Sequence, residues 1–362
     1  MVRSVGSGGG VGGAVGGAGG TTSSGGTTSP QSTFAFAGNM NAARARHSAT
    51  LLPDGKVFIA GGDGQQTTEL YDQATGTFTT SGNLTGVRYA HTATLLGSGK
   101  VLLTGGGAGG SLWRSAEIYD PGTATSRLGP SASTEREGHA ATLLDHGTVL
   151  ITGGEGLGGY QASAELYDPS ANAFTPAGRM TSTRSLHVAV CLASGKVLIA
   201  GGYSASSSLL ASTELYDPAS GSFTAGGDMT SKRALFTATT LGDGKVLLVG
   251  GSDGSAYLAT VEIYDPGSGG LVATGSMNEG RWYHTASLLP SGQVLIAGGR
   301  GQSGVLASAE LYDPATATFT AAGNMATPRQ GHSATVLNSG KVLIAGGYVD
   351  TNAVALASAE FF

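Results

Sequence analysis

The chain is poor in charge, in aromatic side chains and in cysteine. Only 12% of its 362 residues are charged, and the formal net charge is −5. That leaves no basic field to hold nucleic acid or an anionic lipid surface. Aromatic residues make up 7%. No apolar run reaches the roughly 18 residues that a membrane helix needs; those present, such as the one ending at Ala345, are strand-sized. Cys191 is the single cysteine. No intramolecular disulfide can form, and within its apolar stretch the residue reads as a small buried hydrophobe rather than a reactive thiol.

Glycine, by contrast, is abundant at 63 residues. Within residues 1–31 the glycines follow no register, and no apolar side chain after Met1 is larger than Val. Such a stretch cannot bury enough surface to offset its ordering entropy, so it is expected to be a disordered linker. It also lacks the apolar core of a signal peptide.

From residue 32 to 362 the glycines recur in register. A Gly-Gly pair begins at 61, 105, 153, 201, 250, 298 and 346. Around each pair the same unit returns, as in Arg184, His187, an apolar run, Ser-Gly-Lys, VLIA and Gly201-Gly202, then STELYDP and a Gly-Ser-Phe-Thr run. HVAVCL and KVLIA read as a hairpin, STELY as a half-buried strand stopped by Asp217-Pro218, and SFTA as a fourth strand. Four antiparallel strands at this period form a propeller blade. The stretch from Thr33 to Met40 matches a fourth strand, and Ser358 to Phe362 matches a third. The two ends therefore complete one blade, and the sequence predicts an all-β, closed seven-bladed β-propeller with no open sheet edge.

This pattern resembles the kelch repeat family, over residues 33–362. The carrying residues are Gly-Gly, Glu-Leu-Tyr-Asp-Pro and the aromatic of the fourth strand, read as Phe36, Phe78, Phe174, Phe223 and Phe319 where the family usually has Trp. Leu271 replaces it in one copy, and Thr125-Ser126-Arg127 stands in the weakest.

Three polar sets recur. Arg44, Arg88, Arg136, Arg184, Arg233, Arg281 and Arg329 precede their Gly-Gly by a constant interval. So do His47, His91, His139, His187, His284 and His332, with Phe236 in the remaining copy. Glu69, Glu117, Glu165, Glu214, Glu262, Glu310 and Glu360 lie on the third strands. Residues present in every blade are expected to build blades: the Arg and Glu to pair, the His to bond backbone groups of the adjoining loop. Six His spread around a ring do not converge on one metal.

Function is expected where the copies differ. The loops between second and third strands carry Trp113, Arg114, Glu155, Tyr160, Tyr203, Tyr257, Arg300 and Tyr348. The connections between blades carry Arg46, Tyr89, Trp282 and Tyr283. Both sets belong to one face of a propeller, and aromatics beside charged groups suit sugar rings or peptide anchors. The expected function is a non-catalytic binding or scaffold module for a carbohydrate or protein partner. It is expected to be monomeric and without a cofactor, and secreted or at the cell surface, with a cytoplasmic scaffold as the alternative.

Two enzyme classes offer alternatives. Tyr283-His284 resembles the Tyr-His pair of the galactose oxidase and glyoxal oxidase family, which would make these two residues copper ligands. That family also crosslinks a Cys to a Tyr at the starts of adjacent first strands. Here His187 and Leu235 occupy those places, and Cys191 lies four residues deeper. Kelch-type sugar epimerases use Glu and Arg on a propeller face, for which Glu135, Glu137, Glu155 and Arg300 are candidates. No Ser-His-Asp signature, zinc spacing or phosphate loop is present.

Overall fold

The computed structural model describes residues 34–205 and 208–362; the leader expected at residues 1–31 lies outside them. Seven four-stranded antiparallel sheets stand in a ring. In blade 4 the strands are Val188–Cys191, Val197–Ala200, Ser212–Asp217 and Ser222–Asp228, paired in sequence order. The same order holds in the others, numbered here from Ser48.

Second strands such as Val57–Ala60 and Val197–Ala200 are buried at every position. Both faces of such a strand lie under neighbouring blades, which is why they read as unbroken apolar runs rather than alternating ones. Third strands alternate more, and their Tyr71, Tyr167, Tyr216 and Tyr312 are buried against the fourth-strand rings of Phe78, Phe174, Phe223 and Phe319 at 4.7–5.2 Å. Apolar clusters lie between adjacent blades, so the core is a set of seven interfaces rather than one centre.

The ring closes as the ends of the repeat suggested. Ala35–Asn39 pairs antiparallel with Ser358–Phe361, so blade 7 takes its fourth strand from the start of the chain. The register corrects one assignment. Phe34, not Phe36, fills the fourth-strand aromatic place, its ring 5.2 Å from Phe362, whereas Phe36 is 69% exposed. Aromatic spacing alone could not separate the two, because residues two apart on a strand point to the same face.

The Gly-Gly pair is required twice over. Gly250 and Gly251 have φ of +64° and +93°. A Cβ on Gly250 would lie 2.6 Å from the Arg281 carbonyl oxygen and 3.0 Å from His284 Cε1 of the next blade, and one on Gly251 would lie 2.6 Å from the Ala234 carbonyl oxygen. Neither conformation nor space admits a side chain.

Candidate binding face

Each connection between blades runs past its own Gly-Gly pair before entering the first strand. Antiparallel bridges join Tyr89 to Gly107, Glu137 to Glu155, Ser185 to Tyr203, Ala234 to Ser252, Trp282 to Arg300 and Gln330 to Tyr348. In blade 1 the Asp63 N–H donates to the Ala45 carbonyl at 3.0 Å in the same relation. The connections and the loops after the second strands thus share one mouth, and the residues that break the seven-fold repetition meet there in pairs, one pair per blade.

The next residue along each connection adopts a left-handed conformation: Arg46, Ala90, Gly138, Leu186, Leu235, Tyr283 and Gly331 have φ between 51° and 62°. Each donates its N–H to the carbonyl of its counterpart in the preceding blade, from Ala90 to Arg46 at 3.1 Å around to Arg46 to Gly331 at 3.0 Å. Seven backbone bonds close a belt around the mouth. Five of these residues are not glycine, and the closed belt compensates the strain of left-handed backbone at them.

Behind the belt lie the repeated polar groups. All seven Arg are buried and paired with the Glu of their own blade, at 2.6–3.0 Å. The His rings also bridge blades through side chains, which the sequence reading did not include. His91 Nε2 lies 2.9 Å from Ser48 Oγ, His187 Nε2 2.9 Å from Thr152 Oγ1, and His332 Nε2 3.0 Å from Thr285 Oγ1, each partner in the preceding blade. Burial and the neighbouring Arg charge push His47, His91, His187 and His284 down to about 3.

Of the residues expected on this face, Tyr257, Trp282 and Tyr283 form one cluster, with ring centroids 5.6 Å and 5.1 Å apart about Trp282, and Arg300 is the bridge partner of Trp282. Trp282 Nε1 and Arg300 Nε are both buried atoms without a hydrogen-bond partner. Tyr160 and Tyr203 form a second pair, at 6.5 Å. Arg46, Tyr89 and Glu155 belong to a third group with Asp63 and Glu137. There Arg46 is bound to Asp63, and its guanidinium lies 4.2 Å from the centre of the Tyr89 ring. Tyr348 faces Gln330 across its bridge, and Arg114 is exposed. Asp63 and Gly107 escaped the sequence reading, although both directly follow a Gly-Gly pair, the position that turns to the mouth in every blade.

Trp113 has a structural duty. Its Nε1 donates to the Val87 carbonyl at 3.0 Å and its ring lies 5.8 Å from the Arg88 guanidinium. Trp113→Ala should therefore lower stability by about 1–3 kcal/mol, read as a lower urea midpoint.

The residues do not assemble a copper centre of the expected kind. His284 is enclosed between blades, with Nε2 3.0 Å from Thr237 Oγ1, as its counterparts are in the other blades. Cys191 lies at the far end of its strand beside Asp145, a residue of the turn between the first two strands of blade 3, with Sγ 3.9 Å from the carboxylate. Tyr283 belongs to the opposite mouth. Among the described residues no group of three or more His, Cys, Asp or Glu side chains is placed to hold a metal ion.

These features define a closed seven-bladed β-propeller with one sequence-variable mouth. The Kelch motif matches residues 184–230 and 233–269, within the fourth and fifth units, and the other units repeat their Arg, Gly-Gly and Glu positions. The chain is a seven-bladed β-propeller in which the fourth and fifth units carry the Kelch motif. A search of curated proteins gave no match. Among solved structures, a fungal alcohol oxidase of the AA5 family in complex with copper is similar over 91% of this chain and 75% of its own, at 18% identity and a TM-score of 0.76. YjhT is similar over 78% of this chain and 98% of its own, at 15% identity and a TM-score of 0.64. At these identities the likeness concerns the fold.

Proposed function

We propose that this propeller is a non-catalytic binding module that takes a carbohydrate at the variable mouth, with Tyr257, Trp282, Tyr283 and Arg300 as its principal wall. The observation that carries this reading is the bridged pair Trp282 and Arg300, whose two buried donors lack partners while two further aromatic rings flank the indole. Sugar rings offer apolar faces to aromatic planes and hydroxyl oxygens to unpaired donors. A protein partner would use the same rings as anchors.

The test is a thermal-shift panel of neutral and acidic oligosaccharides, followed by calorimetry on any hit. A ligand at 100 times its dissociation constant adds about 2.7 kcal/mol of stability. Trp282→Ala should weaken the confirmed saccharide at least tenfold. A saccharide bound equally well by that variant would show that the wall lies elsewhere, and a silent panel would turn the search to protein partners.

A second reading draws on Glu137, whose carboxyl burial and the neighbouring Glu155 raise to about 7. A carboxyl in that range suits proton transfer, as in a sugar epimerase. Polarimetry on free sugars would favour this reading if turnover were lost in Glu137→Gln. The alcohol oxidase likeness supports no copper chemistry here, because Tyr283, His284 and Cys191 do not converge.

A further inference from the structure

Most buried charged groups of this chain are explained by the repeat, each Arg having its Glu. Glu137 is not. It stands at the variable position of its connection, is only 6% exposed, and its Oε2 has no hydrogen-bond partner. A buried carboxyl oxygen left unpaired is costly and calls for a compensating ligand or role.

Its surroundings favour positive charge. Glu137 and Glu155 exchange both backbone bonds across their bridge, at 2.9 and 2.7 Å. Directly opposed residues of an antiparallel pair send their side chains to the same side, so two carboxyls share one surface. In the preceding blade, Gly107 has no side chain where other blades carry Asp63, Tyr203, Arg300 or Tyr348. A Cβ there would lie 2.8 Å from Glu137 Oε2 and 3.2 Å from Tyr89 Oη. The carboxyl oxygen thus sits where a mouth side chain of blade 2 would begin, with the Tyr89 ring beside it. The nearby Arg46 is bound to Asp63: its Nε donates to Asp63 Oδ2 at 3.1 Å, and Nη2 is also bound to that carboxylate.

We propose that Glu137, with Glu155 and the Tyr89 ring beside it, recognises a protonated primary amine at this mouth. An ammonium brings only donors, and its charge favours the ionised, acceptor-only form of a carboxyl that burial otherwise raises. The aromatic ring supplies a face that cations favour. An uncharged hydroxyl could bond the oxygen but would leave the buried carboxylate charge unbalanced. The amine can belong to an amino sugar or to a lysine side chain. The proposal rests on the reading that this mouth is the binding face.

Calorimetry on the whole protein should use glucosamine against N-acetylglucosamine, and Nα-acetyl-lysine amide against the form also acetylated on Nε. At least one free amine should bind ten or more times tighter than its acetylated counterpart, and the pair that does so identifies the source. Glu137→Gln should abolish that preference while melting no lower than the parent. If Glu137→Gln fails to fold, Glu155→Gln should still reduce the preference several-fold. Free amines that bind no tighter than their acetylated forms, or do not bind at all, overturn the proposal. So does a preference that survives Glu137→Gln. A saccharide still lost on Trp282→Ala in that case leaves the broader binding function standing.

Discussion

Lowering the pH from 7.5 to 5.5 should remove about 8 kcal/mol of folding stability through the six inter-blade His alone. Each ring is buried, each Nε2 is held by a hydroxyl of the preceding blade, and each Nδ1 is buried without a partner. A second proton would put a full charge into the buried interface, near an Arg guanidinium. Four rings are held down at about 3, and burial lowers His139 and His332 well below the ordinary value. The unfolded chain, with His near 6.5, takes up these protons first. Stability is therefore complete above pH 6.5 and falls as pH drops from there toward 3, because the unfolded state binds more protons throughout that window. Glu137 acts in the opposite sense, since its raised carboxyl binds a proton in the folded state first, and it offsets roughly one of the six.

A domain with a typical stability of about 5–15 kcal/mol would then lose its fold between pH 6 and 4. Urea unfolding at a series of pH values measures the slope directly. The fifth copy supplies the control: Phe236 fills the His place, buried at 6% exposure, with no titrating group. His91→Phe should reduce the slope by about one proton while retaining the blade contact. A slope below one proton over pH 6.5 to 5 would mean that the rings gain protons without leaving their interfaces.

The architecture was legible because the repeat makes each local signal count several times over. Second-strand runs, the turn after Asp-Pro and the Gly-Gly pair all agree, and the unmatched strands at the two ends specify closure. Contacts between blades were not legible. His187 meets Thr152, 35 residues away, and His47 meets Ser333 across the closure, 286 residues away. A single repeat gives no sign that its His serves the neighbouring blade. The mouth was readable as a region but not as pairs. Tyr257, Trp282 and Arg300 stood out by residue type, whereas Gly107 matters through the side chain it lacks, and Asp63 through its hold on Arg46. The bond from the Trp113 indole to the Val87 carbonyl was not readable either, because it joins a loop to the preceding connection 26 residues away.

Replacing one repeated Arg should be nearly as damaging as acid. Arg233→Met should cost about 3–5 kcal/mol. Arg233 is fully buried, and its Nη1 donates to the carbonyls of Gly250 at 2.9 Å and Thr260 at 3.1 Å. Its Nη2 reaches Glu262 Oε1 at 2.7 Å, while Glu262 Oε2 accepts the Thr230 N–H at 2.8 Å. Thr230 immediately follows Met229 at the end of blade 4, whereas Glu262 lies on the third strand of blade 5. One Arg–Glu pair therefore fixes the position of a blade relative to the link from its predecessor. Met retains much of the side-chain volume but leaves the buried Glu262 carboxylate without its cation and the Gly250 carbonyl without the Arg233 donor. Arg233→Met/Glu262→Leu removes the stranded charge, so it should be less destabilised than the sum of the single variants by at least about 1 kcal/mol. Urea denaturation with an unchanged m-value would measure both. A single variant costing under about 1 kcal/mol would mean that water enters and solvates Glu262, and that packing of the second strands alone sets the register. If the single variant is costly and the double recovers, the charge pairs specify how each blade meets its link, while apolar burial supplies the stability. That division explains why a chain with so few charges places an Arg and a Glu in all seven blades.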